Sequence, residues 1–155
     1  MIFGKVYNAR WSIERTRRDH GLRLDSASLT ASASQLKELL PQIAAAASLE
    51  HLRGLEGAGA TLYFGQFDQL ILGEKPLFSY QSRSRRPPRD PVNALLSFVY
   101  SLLSHDCASA LESVGLDSYV GFLHRDRPGR ASLALDLMEE LRNISQMAVS
   151  YTHLT

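Results

Sequence analysis

Four side chains in this sequence are of the types that hold a hard divalent cation: Glu56, His124, Asp136 and Glu139. Carboxylate oxygens with one imidazole suit Mg²⁺ or Mn²⁺, and the imidazole tilts the choice towards Mn²⁺. Such ions polarise a phosphate, help generate hydroxide and steady the leaving oxygen, so the chemistry in view is phosphoryl transfer. Each residue also has a plainer reading. Glu56 lies in "LRGLEGAGATLYFG", Leu52 to Gly65, in the middle of a helical face that carries Leu49, Leu52, Ala60, Tyr63, Phe67 and Leu70. A buried carboxylate must be paired or it protonates, so Glu56 needs a cation, either Arg53 at the edge of the same face or a metal. His124 is most simply a hydrogen-bonded structural histidine. Asp136, with Glu139 and Glu140, is most simply the solvated face of a helix that buries Leu133, Ala134, Leu137, Met138 and Leu141.

The elements that must position these groups read as helices. Ile2, Val6, Ala9 and Ile13 mark a first one, with Gly21 as its stop. A Ser/Ala-rich passage from Ser26 to Ser34 leads into a second, with Leu36, Leu39, Leu40 and Ile43, which Pro41 should kink or restart. The Glu56 helix runs from about Leu49 to Leu72. Its four glycines, Gly54, Gly57, Gly59 and Gly65, each cost about 1 kcal/mol relative to alanine, so close packing must offset them. Asp90-Pro91 is a strong start for the next helix, with Asp as N-cap and Pro at the first helical position. Along it Asn93, Ser97, Tyr100 and Ser104 form a narrow polar stripe at spacings of four, three and four. The last helix, "SLALDLMEELR", has Ser132 as a candidate cap. No repeat, Walker loop, GxSxG or HExxH is present, and the fold class expected is all-α.

Composition excludes little. The chain has 155 residues, a net charge of +1 and 45% hydrophobic residues, enough for one domain with a core. Apart from Lys5, Lys37 and Lys75 every basic residue is arginine, whose planar fork suits phosphate. The single cysteine, Cys107, excludes an internal disulfide and CxxC metal ligation. The basic first 25 residues hold no signal-peptide core, and no apolar run approaches membrane length. A soluble, cytoplasmic protein is expected. Between Gly73 and Arg89 the chain lacks helical periodicity and gathers Arg83, Arg85, Arg86 and Arg89, a candidate phosphate-binding loop.

Three segments together resemble a known family: "LRGLEGAGATLYF", "RRPPRDPVNALLSFVYSLL" and "GLDSYVGFLHRDRPGRASLALDLMEELR". They are similar to the CRISPR-associated integrase, the metal-dependent DNA endonuclease of the spacer-acquisition complex, and "GKVYNARWSIERTRRD" looks like the first helix of its catalytic domain. By motif, the family's metal ligands fall on Glu56, His124 and Glu139, and Asp136 is an acidic neighbour that supports the site. The resemblance implies a Mn²⁺- or Mg²⁺-dependent enzyme of prokaryotic antiviral defence, joining the 3′-hydroxyls of a short spacer-precursor duplex to phosphates of the CRISPR array. Arg83, Arg85, Arg86, Arg89 and Arg125 are the candidate DNA contacts. For the complete protein it implies a homodimer, a small partner subunit and no membrane. It also makes residues 1–142 the helical catalytic domain without the family's β-rich N-terminal domain, and residues 143–155 an atypical, non-native-looking tail. On the residues alone, a non-catalytic helical module binding nucleic acid or protein, or an inactive truncated product, remain as alternatives.

Overall fold

A computed structural model describes residues 1–73, 75, 77–124 and 127–151, and among these there is helix but no strand. Five α-helices follow in order: α1 Ile2–His20, α2 Ser26–Ala44, α3 Leu49–Leu70, α4 Pro91–Ser113 and α5 Ser132–Tyr151, with a short 3₁₀ turn at Gly21–Arg23. The all-α expectation holds. Three helices start on side-chain caps: Asp25 accepts from Ser28 N–H, Ser48 from His51 N–H and Asp90 from Asn93 N–H. The Asp25 cap moves the start of α2 to Ser26, so the Ser/Ala passage is the helix itself. Pro41 is carried inside the last turn, where it leaves the Lys37 carbonyl without its helical N–H donor, and α2 runs on to Ala44 without restarting. Just past the end of α4 stands Gly115, whose φ of +79° favours glycine. There Gly115 N–H bonds to Glu112 O and Leu116 N–H to Leu111 O, which closes the helix and turns the chain back.

Helix α1 is the hub. It packs against α2, α3 and α5, and α5 packs in turn against α4. Ile2, Val6, Ala9 and Ile13 of α1 meet Leu29, Ala33 and Leu36 of α2 and Tyr63, Phe67 and Leu70 of α3 in the main core. Only Gly59 of the four α3 glycines serves close packing: a Cβ there would lie 3.1 Å from Val6 Cγ2, whereas Gly54, Gly57 and Gly65 have nothing within 4 Å. A smaller cluster, Cys107 and Leu111 with Ala134 and Met138, joins the end of α4 to the start of α5.

Three expectations change. Helix α5 opens at Ser132 itself and buries Asp136 and Glu139 completely, while Leu137 and Leu141 are exposed. Beside Ala134, Met138 and Val149, its inward face carries a polar stripe, Ser132, Asp136, Glu139, Asn143 and Gln146, all nearly inaccessible. The helix also continues without a break to Tyr151, past the expected domain limit at 142, and Asn143, Gln146 and Val149 are buried. Finally, α4 is by length and composition apolar enough to cross a membrane, contrary to the expectation from the sequence. Ser97, Tyr100, Ser101 and Ser104 break up the apolar run in the sequence but share one face of the helix.

Candidate functional site

The polar stripe of α5 organises the site. Asp136 Oδ2 accepts the backbone N–H groups of Phe122 at 2.6 Å and Leu123 at 2.9 Å, and Oδ1 accepts His124 N–H at 3.0 Å. Its Oδ1 also lies 2.6 Å from His124 Nδ1. Burial pushes the Asp136 carboxyl up, but the hydrogen bonds from Leu123, the His124 ring, Phe122 and His124 N–H outweigh it and hold it below its ordinary value. An ionised carboxylate only accepts, so Nδ1 carries a ring proton, which leaves Nε2 as the nitrogen that can present a lone pair to a metal. The segment lies flat on α5 because residue 121 is glycine: a Cβ there would sit 2.6 Å from Ser132 Cβ and 2.9 Å from its carbonyl carbon. From α3, Arg53 donates to Leu123 O at 2.5 Å and clamps the same segment. Arg53 is therefore not the partner of Glu56.

That partner is Lys5. Its Nζ lies 2.5 Å from Glu56 Oε1 and 2.6 Å from Glu139 Oε2, reaching from α1 to acids on α3 and α5. Glu139 is fully buried, and no hydrogen bond of good geometry reaches either of its carboxylate oxygens. Cations face them instead: Lys5 at Oε2 and Arg142 at 3.0 Å from Oε1. His124 Nε2 stands 3.7 Å from Oε1. Glu56, His124 and Glu139 are thus brought to one place, with Asp136 behind the histidine. No three acidic, His or Cys side chains among the described residues form a ready-made cage, and the Lys5 ammonium bridges Glu56 and Glu139. The donors nonetheless fit a hard divalent ion: two carboxylates, one of them wholly buried without hydrogen bonds, and an imidazole whose far nitrogen a carboxylate orients. Sequence reasoning missed Lys5 and Arg142. Lys5 had a signal, since it falls within the Ile2–Val6–Ala9 apolar stripe, where a solvated lysine does not belong.

Beside this centre an open cleft of about 660 Å³ runs between α4, α5 and the preceding loop. Arg83, Arg85, Arg86 and Arg142 line it, opposite Ser97, Tyr100 and Ser104 of the α4 stripe. Arg83 is fixed by neutral acceptors, Ser84 O at 2.6 Å, Asn93 Oδ1 at 2.7 Å and Ser97 Oγ at 3.2 Å. Its guanidinium and that of Arg142 stand over the Tyr100 ring at 5.5 and 5.4 Å, and Gln146 bonds to the Tyr100 hydroxyl. Arg89 shares a neighbouring concavity with Arg85 and Arg86. Arg125 lies outside the described residues.

Residues 1–152 match the family model described as CRISPR associated protein Cas1. The chain is 55% identical over 148 residues to "CRISPR-associated endonuclease Cas1 2" of Rhodospirillum rubrum, covering 93% of this chain but 43% of that relative. Two solved structures are similar in fold and sequence. One is from a partial Cas6-RT-Cas1--Cas2 complex (TM-score 0.83, 32% identity), with 98% of this chain and 43% of that one covered. The other is a casposase bound to integration product (TM-score 0.71, 30% identity), with 98% and 40% covered. The chain thus spans less than half the length of these three proteins.

Proposed function

This chain belongs to the CRISPR associated protein Cas1 family, and on that premise we propose that it supplies the helical catalytic part of a divalent-metal-dependent DNA endonuclease and integrase. The single observation that carries the reading is Glu139, wholly buried with only the cations Lys5 and Arg142 at its oxygens, beside an imidazole whose far nitrogen Asp136 holds. Glu56, His124 Nε2 and Glu139 would hold Mn²⁺ or Mg²⁺, and Asp136 and Arg53 position the histidine segment. A bound ion would supply Lewis acidity to a phosphodiester and stabilise charge on the oxygens that attack and leave.

The protein's own groups do the rest. In strand transfer a 3′-oxygen forms a bond to phosphorus, and the bond from that phosphorus to the target strand's 3′-oxygen breaks. Arg85, Arg86 and Arg89 offer exposed charge to hold backbone phosphates next to the centre. Arg83 and Arg142, fixed over Tyr100, carry charge without acceptors beyond neutral groups and Glu139, and would keep a phosphate in register. The similar casposase is bound to integration product, which supports the choice of DNA. Short duplexes, the CRISPR array, a second copy of the protein and a small partner subunit are the partners proposed for the whole protein.

The test is Mn²⁺-dependent cleavage and strand transfer on a short duplex, with Mn²⁺ binding followed in parallel by electron paramagnetic resonance. Wild type should bind Mn²⁺, and Glu139→Ala should lose binding and activity together. Activity that survives in Glu139→Ala would falsify this assignment.

A further inference from the structure

We propose that Lys5 is an intramolecular competitor of the metal: its ammonium closes the acid centre in the ion-free protein and must withdraw for a divalent ion to enter. The inference rests on the metal reading above and adds to it a gate built from the chain's own cation.

Charge balance requires it. Glu56 and Glu139 carry two negative charges, and Lys5 and Arg142 supply two positive ones within 2.5 to 3.0 Å. These four charges balance one another, and the adjoining Asp136 carboxylate is held separately by backbone N–H groups and the His124 ring. Adding a divalent ion to all four would place several cations side by side around a fully buried carboxylate, where screening is weak. One cation has to leave, and geometry selects which. The Arg142 guanidinium is planar and held over the Tyr100 ring at 5.4 Å, next to that of Arg83. Lys5 ends in a compact ammonium on a flexible four-carbon stem. Exposure does not separate the two, Lys5 at 14% and Arg142 at 18%, so the choice rests on the flexible stem of Lys5 against the stacked guanidinium of Arg142. The Lys5 backbone stays in place, because Asn143 Nδ2 donates to Lys5 O at 2.6 Å. Withdrawal is then a change of side-chain rotamer, not a movement of α1.

The consequence is a threshold. Only molecules with Lys5 withdrawn are competent to bind, so the apparent metal affinity is lowered by that fraction. Lys5 also stabilises the ion-free fold by keeping two carboxylates apart from one another's unshielded charge.

The experiment compares wild type, Lys5→Met, Lys5→Arg and Glu139→Ala by calorimetric addition of Mn²⁺ and by melting temperature with and without the ion. Lys5→Met should bind Mn²⁺ roughly tenfold more tightly, as expected when a competitor holding about nine-tenths of the population is removed. It should melt lower than wild type without the ion and gain more on adding it. Lys5→Arg, whose fork cannot slip out as readily, should keep the ion-free melting temperature and bind Mn²⁺ more weakly; it decides the matter if Lys5→Met does not fold. If wild type binds Mn²⁺ in a Glu139-dependent way but Lys5→Met binds with equal or lower affinity, Lys5 is no competitor and the proposal alone falls. If wild type binds no Mn²⁺, or Glu139→Ala binds as well as wild type, the metal reading fails and takes the proposal with it.

Discussion

The acid centre and the arginine cleft lie side by side and handle charge in opposite ways. In the centre every charged group has an internal partner: Asp136 has three backbone N–H groups and the His124 ring, and Glu56 and Glu139 share Lys5. In the cleft Arg83 is held by a carbonyl, an amide oxygen and a hydroxyl, none of which cancels its charge. A buried ionic group must be paired within the fold or the fold does not form. An open surface can keep its cations uncompensated because water screens them. The difference separates what holds the domain together from what it offers to a ligand: the centre can only exchange a cation, whereas the cleft has positive charge to give an anion.

If that contrast is right, damage to the buried side should cost the fold, and the largest effect should come from the end of α5. That segment braces both regions, through Asn143 to the Lys5 carbonyl, Gln146 to the Tyr100 hydroxyl, and Val149 in the main core. Removing residues from Asn143 onward exposes the Val149 pocket and orphans buried groups, at roughly 4–8 kcal/mol together. Against a typical domain stability of about 5–15 kcal/mol this removes most of the margin. Urea unfolding should show a lost or much weakened cooperative transition; an unchanged midpoint would mean that α5 ends functionally near Arg142.

Asp136→Ala comes next. It removes the buried acceptor of three N–H groups and the histidine ring, of which the Leu123 N–H is itself buried, and should cost about 2–4 kcal/mol in urea unfolding. Asp136→Asn, which keeps the size but not the charge, should cost less and weaken Mn²⁺ binding by about 10–100-fold, as for other groups that orient a ligating histidine. The same carboxylate sets a pH dependence. Its value is depressed in the folded protein, so its stabilisation is complete above the unfolded value of about 3.9 and is lost as pH falls through the lower folded one. The stability gap between wild type and Asp136→Asn should therefore be flat from pH 7 to about 5 and narrow below about 4. A gap that stays constant below about pH 4 would show that the Asp136 charge is not what stabilises the segment.

Much of the fold is legible in the amino-acid sequence, and the failures share one cause. The Asp90-Pro91 start, the Glu56 helix and the stop after His20 follow from local chemistry, and all three stand. The helical wheel of α5 misleads, because it assigns leucines inward and acids outward. Asp136 and Glu139 go in because partners from α1 and the His124 segment meet them there, and Leu137 and Leu141 are displaced outward. Periodicity detects that a helix has two faces but not which one the rest of the chain can satisfy. Motif resemblance locates these acids where the wheel does not. It is silent on Lys5, whose pairing joins α1 to residues far away in sequence, and local spacing points the Glu56 cation to Arg53 instead.

The cleft supplies the smallest effect on the fold and the sharpest test of the comparison. Arg85 and Arg86 line the open wall, and neither forms an ion pair among the described residues. Replacing both with alanine should move unfolding stability by no more than about 0.5 kcal/mol. Duplex binding should respond instead. Each lost phosphate contact removes about 0.9 from the slope of log affinity against log salt, so the double variant should flatten it by up to about 2. The loss should be similar for unrelated sequences, since phosphate contacts position the duplex without reading it. Arg83→Ala is the informative contrast within the same wall. Its guanidinium is tied to Asn93 and Ser97, so its removal should lower stability as well as the salt slope. If Arg85 and Arg86 prove costly to the fold and leave the slope unchanged, the cleft is packing surface, and the division between a self-neutralised centre and a charged, waiting wall does not hold.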